Sequence, residues 1–546
     1  MLKVILYFKN VMTGIFLLLS FVEIAQSNQE HDLIYTVKYL GGDKANCFDI
    51  SAEIKGNQEG KILIKVPRYV GNFTFNTKKG GISYTKPEDF TFLISLEPQV
   101  NLEANYQACI INQYRANYRP LIEQDFFHFM SDSLFVLPST NLEEIKTVKY
   151  QFINFPDDYS IVTNHILNKR QYEIKDSVGN ISHSIIAGGK FDIKTVTIKN
   201  KPVHIIINGK WSMITADEIS NYVQKLIYLQ RKLMGDYNFP HFVVIIFDDI
   251  VPEGGGGLSG SLYENVLSMV FTDTELKYKY LLLGSLSHEL FHAWIGNKIK
   301  IATPQGDLQW FFEGMNDFYG WQIALKTGQV TIQDYIKYYN KLIKEYALSP
   351  YKEASNDEIA KIFKPGNPAG QLAMVRGHIV FMEILNKLHS QKKSRKLLDA
   401  ALFEISDKYS GSKKYVSKKE LDEIFRKHLG DKIWNDAASI INAGTAIQLS
   451  SSQFLGKVTL QNTEVSAPSF GFDLKTLVGE KQIRLLSKKS KAFQGGLTEN
   501  SKVIEYGIDL TDPNRLVIIL AEGSDNKQKL IKFTPDQIKK IIPQYE

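Results

Sequence analysis

Cysteine, concentrated charge and long hydrophobic runs are all scarce in this chain of 546 residues. The formal net charge of +6 comes from scattered Lys and Arg residues rather than a patch, which argues against nucleic acid or an acidic membrane as a partner. After residue 27 no stretch resembles a membrane-spanning segment, so we expect no stable membrane span in the mature protein. The two cysteines, Cys47 and Cys109, allow a disulfide in an oxidising compartment, and a buried pair of free thiols is the alternative.

The N-terminal segment has the order of a secretory signal peptide. Lys3 and Lys9 precede an apolar run over residues 11–22, and Ala25 and Ser27 supply small residues at the positions that a signal peptidase reads. A retained membrane anchor is the alternative, but the run is short for a spanning helix. We therefore predict a signal peptide over residues 1–27 and a secreted or periplasmic protein.

The remaining residues predict a multidomain α+β protein. Their length exceeds one ordinary core, and 44% hydrophobic residues are enough to build several. Short alternating runs such as 61–66 and 195–198 predict a β-sandwich-like domain over residues 28–202. Residues 203–449 begin with mixed strands and helices and become mainly helical, and residues 450–546 form a small separate unit with short strands.

The chemistry is concentrated around a helical segment that carries His288 and His292. Residues four apart lie on one face of a helix, so these two imidazoles can bind one cation, for which zinc is the natural choice. Glu289 beside them can take a proton from the attacking water and pass it to a leaving amine. Catalytic zinc commonly has three protein ligands, and Glu313 supplies the third from an aromatic-rich helix. Asp317, one turn later, can fix the tautomer of a ligand histidine.

The run from His288 to Lys298 and the run from Trp310 to Gly320 resemble the gluzincin metallopeptidases. Within them the chain is most similar to the glycyl aminopeptidase family, which joins an N-terminal β domain, a thermolysin-like catalytic domain and a C-terminal PDZ domain. The resemblance implies one Zn²⁺ per chain, held by His288, His292 and Glu313, with Glu289 as the general base. It also implies a peptide or protein substrate.

A stretch before the metal helix bears on how substrate binds. Residues 254–257 are four glycines without the Lys-Ser/Thr of a phosphate loop, so we expect a flexible rim. The segment 262–271 reads as one strand, whose edge could pair with a peptide. By resemblance, Glu264 followed by Asn265 corresponds to the glutamate that holds the substrate's free amine. Six residues separate it from the glycines, which interrupts the family's compact motif and leaves an endopeptidase as an alternative.

A later helix departs from the family at the residue that stabilises the oxyanion. Met374 stands where a tyrosine is expected, and a thioether cannot donate a hydrogen bond. His378 or Tyr319 could substitute, although a satisfied histidine on a packed helix is the favoured interpretation of His378. A pseudopeptidase that keeps zinc and acts as a binding or scaffold protein is therefore a second alternative to an active aminopeptidase.

The last residues carry two weak motifs of their own. Residues 469–472 resemble the carboxylate-binding loop of PDZ domains, and 492–504 resemble a later segment of the same domains. Such domains bind an extended peptide at a sheet edge. A PDZ-like unit with a peptide ligand is one interpretation of this region, and a packing module without a ligand is the other.

Overall fold

The structure is a computed structural model, and it describes residues 31–110, 115, 119–248, 258–272, 279–301, 305–364, 367–411, 414–451, 458–522 and 528–546. The predicted signal peptide and the glycines at 254–257 lie outside the described residues. The chain divides into two compact units, one formed by residues 1–111 and 118–190 and the other by residues 112–117 and 191–546. Among the described residues, no helix has both the length and the apolar character needed to cross a membrane.

The first unit is built almost entirely from β-strands. Its strands are β1 (Leu33–Tyr39), β2 (Cys47–Ile54), β3 (Lys61–Lys65), β4 (Thr74–Thr77), β5 (Ser83–Glu88), β6 (Thr91–Ser95), β7 (Leu102–Cys109), β8 (Leu121–Ile122), β9 (Phe126–Met130), β10 (Leu137–Pro138), β11 (Ile145–Ile153), β12 (Ser160–Thr163), β13 (Gln171–Ser177) and β14 (Ile185–Gly189). Its short helices are a 3₁₀ turn at Gly42–Lys44, α1 (Ser131–Leu134) and α2 (Val178–Ser182).

These strands form three sheets around one core. The sheet orders are β13-β11-β1-β2-β7-β4, β10-β3-β6-β5 and β12-β14-β9-β8. Alternating burial along β1 and β2 places side chains such as Tyr35 and Ile50 in the core and their neighbours outside. The unit is thus β-rich as predicted, with three sheets rather than the two of a sandwich.

A disulfide joins the two cysteines across the first sheet. Cys47 and Cys109 are directly opposite each other in the antiparallel pair β2–β7, and the structure bonds them over a sequence separation of 62 residues. The disulfide is therefore the alternative that the structure supports, rather than a pair of free thiols.

Replacing both cysteines by Ala is expected to lower the free energy of unfolding of the first unit by about 4 kcal/mol, because the cross-link shortens a long loop in the unfolded chain. Calorimetry of the full chain measures this change. All five tryptophans lie in the second unit, so the tryptophan fluorescence transition serves as an internal control. An unchanged calorimetric profile in the variant would contradict the prediction.

The second unit carries the remaining ten strands and most of the helices. Its strands are β15 (Ile193–Ile198), β16 (Lys201–Asn208), β17 (Phe242–Asp248), β18 (Leu258–Tyr263), β19 (Val266–Phe271), β20 (Leu460–Ser469), β21 (Lys502–Gly507), β22 (Val517–Glu522), β23 (Gln528–Phe533) and β24 (Asp536–Tyr545). Its helices are α3 (Ala216–Met234), α4 (Lys279–Phe291), a 3₁₀ turn at Gln305–Leu308, α5 (Gln309–Lys326), α6 (Ile332–Leu348), α7 (Asn356–Ile362), α8 (Pro368–Ser390), α9 (Lys396–Tyr409), α10 (Lys418–Leu429), α11 (Asp431–Ala443), α12 (Leu474–Glu480) and α13 (Lys491–Gln494).

One five-stranded sheet supports the metal helix, with the order β15-β16-β17-β19-β18. The three strands β16, β17 and β19 run parallel, and β18 turns back antiparallel at the edge. All six residues of β19 are buried, as expected for a strand covered on both faces. Among the described strands, β18 is therefore one of the two edge strands of this sheet, and it lies beside α4.

Local sequence explains where several helices begin. Capping boxes start α3 at Thr215, α6 at Thr331, α7 at Ser355 and α10 at Ser417, where each hydroxyl accepts a hydrogen bond from a backbone amide three residues later. Pro368 opens α8 after the cap residue Asn367. These signals position the helices that surround the site.

Glycines allow the helices around the site to approach closely. A Cβ on Gly314 of α5 would lie 2.5 Å from the Cα of Gly377 on α8, and one on Gly320 would lie 2.8 Å from the Cα of His288 on α4. Since real carbon atoms do not approach so closely, only glycine permits this packing. Helix α5 is thereby held against both α4 and α8.

The last residues form a small sheet-and-helix region with its own core, which includes Leu477, Ile519 and Phe533. Strand β24 pairs with β20 and exchanges hydrogen bonds with α6: Asn340 donates to the carbonyl of Tyr545 and accepts from its amide, both at 2.8 Å. The region described over 458–522 and 528–546 is therefore packed on α6. Its PDZ-like character stays a prediction.

Three local features differ from the sequence predictions. Strand β15, which includes the run 195–198, pairs with β16 in the second unit rather than with the strands of the first unit. The predicted single strand over 262–271 is a hairpin, β18–β19, with its turn at Glu264 and Asn265. Helix α4 ends at Phe291, so His292 lies in the turn that follows it rather than on the helix as predicted.

Candidate metal centre and active site

The metal helix is positioned by its apolar sequence. Leu282, Leu283 and Leu286 are fully buried, and they anchor α4 between the sheet and α5. Gly284 lies against the ring of Trp321, where a Cβ would be only 2.1 Å from a ring carbon. The helix face that carries His288 is thereby aimed at α5.

Three side chains converge where α4 and α5 meet. His288 Nε2 lies 3.2 Å from His292 Nε2 and 3.2 Å from Glu313 Oε2, and His292 Nε2 lies 3.6 Å from the same carboxylate oxygen. The structure thus brings together the three predicted ligands as a group that could hold a metal ion. Two ring nitrogens and one carboxylate oxygen are the donor set of a gluzincin-type zinc site, so these residues fit Zn²⁺.

The other ring nitrogen of each histidine lies close to an oxygen acceptor. His288 Nδ1 lies 3.3 Å from Asp317 Oδ1, and His292 Nδ1 donates to the carbonyl of Ile295 at 3.0 Å. A proton on Nδ1 leaves the lone pair of Nε2 available for a metal. His292 itself follows the last residue of α4, and its amide bonds to the carbonyl of Glu289 at 3.2 Å in a tight turn.

Asp317 belongs to a larger buried network. Its Oδ2 accepts hydrogen bonds from Tyr338 and from His378 Nδ1, both at 2.6 Å, and His378 Nε2 lies 2.9 Å from the hydroxyl of Tyr335. Burial alone raises the pKa of Asp317, but the charge of His378 and the hydrogen bonds from both histidines lower that pKa well below its usual range. The carboxylate therefore stays ionised.

Glu289 lies between α4 and the edge strand. A Cβ built on Gly260 of β18 would lie 2.5 Å from the carboxyl carbon of Glu289, so the glutamate packs directly on the strand. Burial raises the pKa of Glu289, which is the direction that suits a proton acceptor working near neutral pH. The predicted base therefore faces the strand that could hold a peptide.

Glu264 occupies the hairpin turn rather than the middle of a strand. Its φ of 49° is in the left-handed region, and its carbonyl accepts a hydrogen bond from the side chain of Asn297 at 2.8 Å. The amide of Asn297 in turn bonds to the carbonyl of His292 at 3.2 Å. The main chain of Glu264 is thus tied to the loop that follows the second histidine.

The two candidate replacements for the missing oxyanion donor are both engaged elsewhere. His378 is fully buried and bonded at both ring nitrogens, as a satisfied core histidine is. Tyr319 is also fully buried, and its hydroxyl donates to Asp399 at 2.8 Å. Met374 is partly buried on α8. Neither predicted substitute therefore compensates for Met374.

Sequence reasoning missed the supports around the second histidine. The carboxylate of Asp236 accepts from the indole of Trp294 at 3.1 Å, pairs with Lys298, and lies 3.7 Å from the guanidinium of Arg231. These contacts fix the loop that follows His292. A Gly-Asp pair after α3 carries no pattern that predicts this role, because two of the partners, Trp294 and Lys298, are about sixty positions away.

A second group of missed residues lies on α5 itself. The side chain of Asn316 donates to the carbonyls of Ile295 at 2.9 Å and Phe312 at 2.7 Å, and Gln309 donates to Glu313 Oε1 at 3.1 Å. Both amides are buried within an aromatic-rich helix. A polar residue inside such a run is the signal that could have identified them.

Comparisons with known proteins agree with this geometry. The family model described as M61 glycyl aminopeptidase matches residues 281–367. No curated protein matches the chain. Among solved structures, an aminopeptidase N family protein from Idiomarina loihiensis is similar with a TM-score of 0.66 and 12% identity, over 93% of this chain and 98% of that one.

An M1 zinc metallopeptidase from Deinococcus radiodurans, bound to a Tyr-Ser-Ala substrate, has a TM-score of 0.49 and 13% identity over 77% of this chain and 94% of its own. The first structural likeness establishes that the fold is that of the aminopeptidase N family protein. The segment that matches the family model contains His288, Glu289, His292 and Glu313. The chain is a zinc metallopeptidase.

Proposed function

We propose that this zinc metallopeptidase is an exported aminopeptidase that binds one Zn²⁺ per chain. The observation that carries the proposal is the convergence of His288, His292 and Glu313 beside the half-buried Glu289, inside the segment that matches a glycyl aminopeptidase model. The fold likeness to an aminopeptidase N family protein supports the same activity.

The residues divide the chemical work. Zinc, when bound, supplies a Lewis acid that polarises the scissile carbonyl. His288, His292 and Glu313 would hold it, and Asp317 orients the imidazole of His288. Glu289 accepts a proton from the attacking water and returns it to the departing amine, a role favoured by its burial and raised pKa.

The edge strand β18 would bind the substrate. Strand β18 ends the order of the described sheet next to β19, and an extended peptide would lie along it. Glu264 at the turn would hold the free amine and so place the first peptide bond at the metal. Asn297 supports this placement by fixing the main chain of the turn.

Digestion of a diverse peptide library, together with metal analysis of the purified protein, tests the proposal. We expect stoichiometric zinc and removal of single residues from free N-termini. Acetylated copies of the same peptides should be cleaved at least tenfold more slowly, because Glu264 loses its cationic partner. Glu264→Gln should erase this difference between free and acetylated peptides. Equal cleavage of both sets by the unaltered protein would instead indicate an endopeptidase.

A pseudopeptidase remains the second candidate function, and Met374 is the observation that favours it. Loss of one oxyanion donor typically lowers the rate by about a hundredfold to a thousandfold. Zinc-loaded protein that cleaves no peptide in the library would support this candidate and reject the aminopeptidase. In that case, the C-terminal PDZ-like region would be the place to seek a peptide ligand. Export is supported by the predicted signal peptide over residues 1–27.

A further inference from the structure

The two oxygens of Glu313 have different partners. Oε2 faces the two ring nitrogens at 3.2 and 3.6 Å, so it is the oxygen available to a metal. Oε1 accepts a hydrogen bond at 3.1 Å from the side-chain amide of Gln309, which lies one helical turn earlier on α5. The carboxylate is thereby oriented with only one oxygen toward the site.

The position of Gln309 requires a partner of this kind. It is 9% exposed and stands beside Leu308, Trp310 and Phe311, which are also buried. Burying an amide without a hydrogen bond costs roughly 1–3 kcal/mol. The amide N–H of Gln309 donates to the carboxylate of Glu313. If the amide were flipped, its carbonyl oxygen would face the carboxylate oxygen, and two acceptors would meet. The orientation with the N–H toward Glu313 is therefore the one that fits.

Gln309 also completes a pattern around the site. Asp317 faces the second nitrogen of His288, and the carbonyl of Ile295 accepts from the second nitrogen of His292. The amide of Gln309 likewise donates a hydrogen bond to the second carboxylate oxygen of Glu313. Each of the three ligand residues therefore has at least one polar neighbour close to its non-ligating polar atom.

We propose that Gln309 is a positioning residue that restricts Glu313 to binding zinc through one oxygen. A free Oε1 could turn toward the metal as one further oxygen ligand and crowd the position that a catalytic site keeps for water. The amide N–H of Gln309 holds Oε1 away from that position. The inference rests on the proposed zinc site but not on the type of peptide that is cleaved.

The test compares zinc-loaded wild-type protein with Gln309→Met, which keeps the length of the side chain and removes the donor. X-ray absorption at the zinc edge should show one more oxygen ligand in the variant. The d–d spectrum of the Co²⁺-substituted variant should likewise indicate a higher coordination number. Competition with a chelator should show that Gln309→Met binds zinc about ten- to a hundredfold more weakly than the wild-type protein, which is the usual effect of losing such a partner. Gln371→Met on the exposed face of α8 is the matched control and should leave all three measurements unchanged.

The outcomes separate this inference from the proposed function. If the wild-type protein binds no zinc, the proposed function itself fails. If it binds zinc and Gln309→Met leaves both the ligand number and the affinity unchanged, the role assigned to Gln309 is wrong. A thermal unfolding curve for the metal-free variant that overlays the wild-type curve shows that any change in zinc binding is not a loss of folding.

Discussion

Glu289→Gln is expected to lower kcat/KM for peptide hydrolysis by about 10²- to 10⁴-fold, because an amide cannot accept the proton of the attacking water. The substitution preserves the shape of a side chain that packs against Gly260, so the fold should be retained. Zinc content should also be retained, since the ligand group consists of His288, His292 and Glu313. Initial rates on a free-amine peptide, with metal analysis of the same sample, measure both quantities.

Glu423→Gln is a suitable control because Glu423 is 61% exposed and its ion pair with Lys419 at 3.9 Å lies within one helix. It should leave both rate and zinc unchanged. If Glu289→Gln hydrolysed peptides as fast as the wild-type protein, Glu289 would not be the base. If it lost zinc together with activity, Glu289 would act as a ligand rather than as a proton acceptor.

The metal site could be predicted from the sequence because its spacing is local. His288, Glu289 and His292 lie within five positions, and helical spacing predicts that both imidazoles meet, as they do although His292 lies in the tight turn after α4. Glu313 and Asp317 are one turn apart on the following helix, so a single interhelical contact brings them to the site. The β-rich first unit was predictable for a similar reason, since alternation along a strand is also a local pattern.

The supports around the site could not be predicted, because they depend on packing between distant segments. Asp236 meets Trp294 only because α3 and the loop after α4 lie side by side, and nothing in a Gly-Asp pair indicates this. The hairpin at Glu264 was missed for a different reason. Residues 262–271 are apolar throughout except for Ser268 and the turn itself, and a non-glycine residue adopts the left-handed conformation at the turn.

Whether His378 or Tyr319 replaces the expected tyrosine also depended on tertiary structure. Both residues are common proton donors, and sequence alone left them open as substitutes for Met374. Their hydrogen bonds to Asp317 and Asp399 are formed with partners 61 and 80 positions away. Identifying these partners required the packing of α5 against α8 and α9.

Gly260→Ala is expected to reduce kcat by about a hundredfold while leaving zinc bound. Gly260 has no left-handed backbone conformation, so alanine is compatible with its main chain, and the three atoms nearest to an added Cβ all belong to Glu289. The added methyl would lie 2.5 Å from the carboxyl carbon and 2.8 Å from Oε2. Carbon atoms pack at about 3.5–4.0 Å, so the carboxylate must move by about 1 Å, and displacements of that size cost about a hundredfold in rate.

The expected effect of Gly260→Ala is confined to the Glu289 side chain, which distinguishes it from a general loss of stability. Because the displaced group is the flexible end of Glu289, the strand and α4 should keep their positions, and zinc content and melting temperature should match the wild-type protein. Gly507→Ala in β21 is the matched control, since a Cβ there meets no atom within 4 Å. An unchanged kcat for Gly260→Ala would mean that Glu289 tolerates displacement, which is incompatible with a base that must contact the attacking water. Loss restricted to KM would assign Gly260 to substrate binding along the edge strand instead.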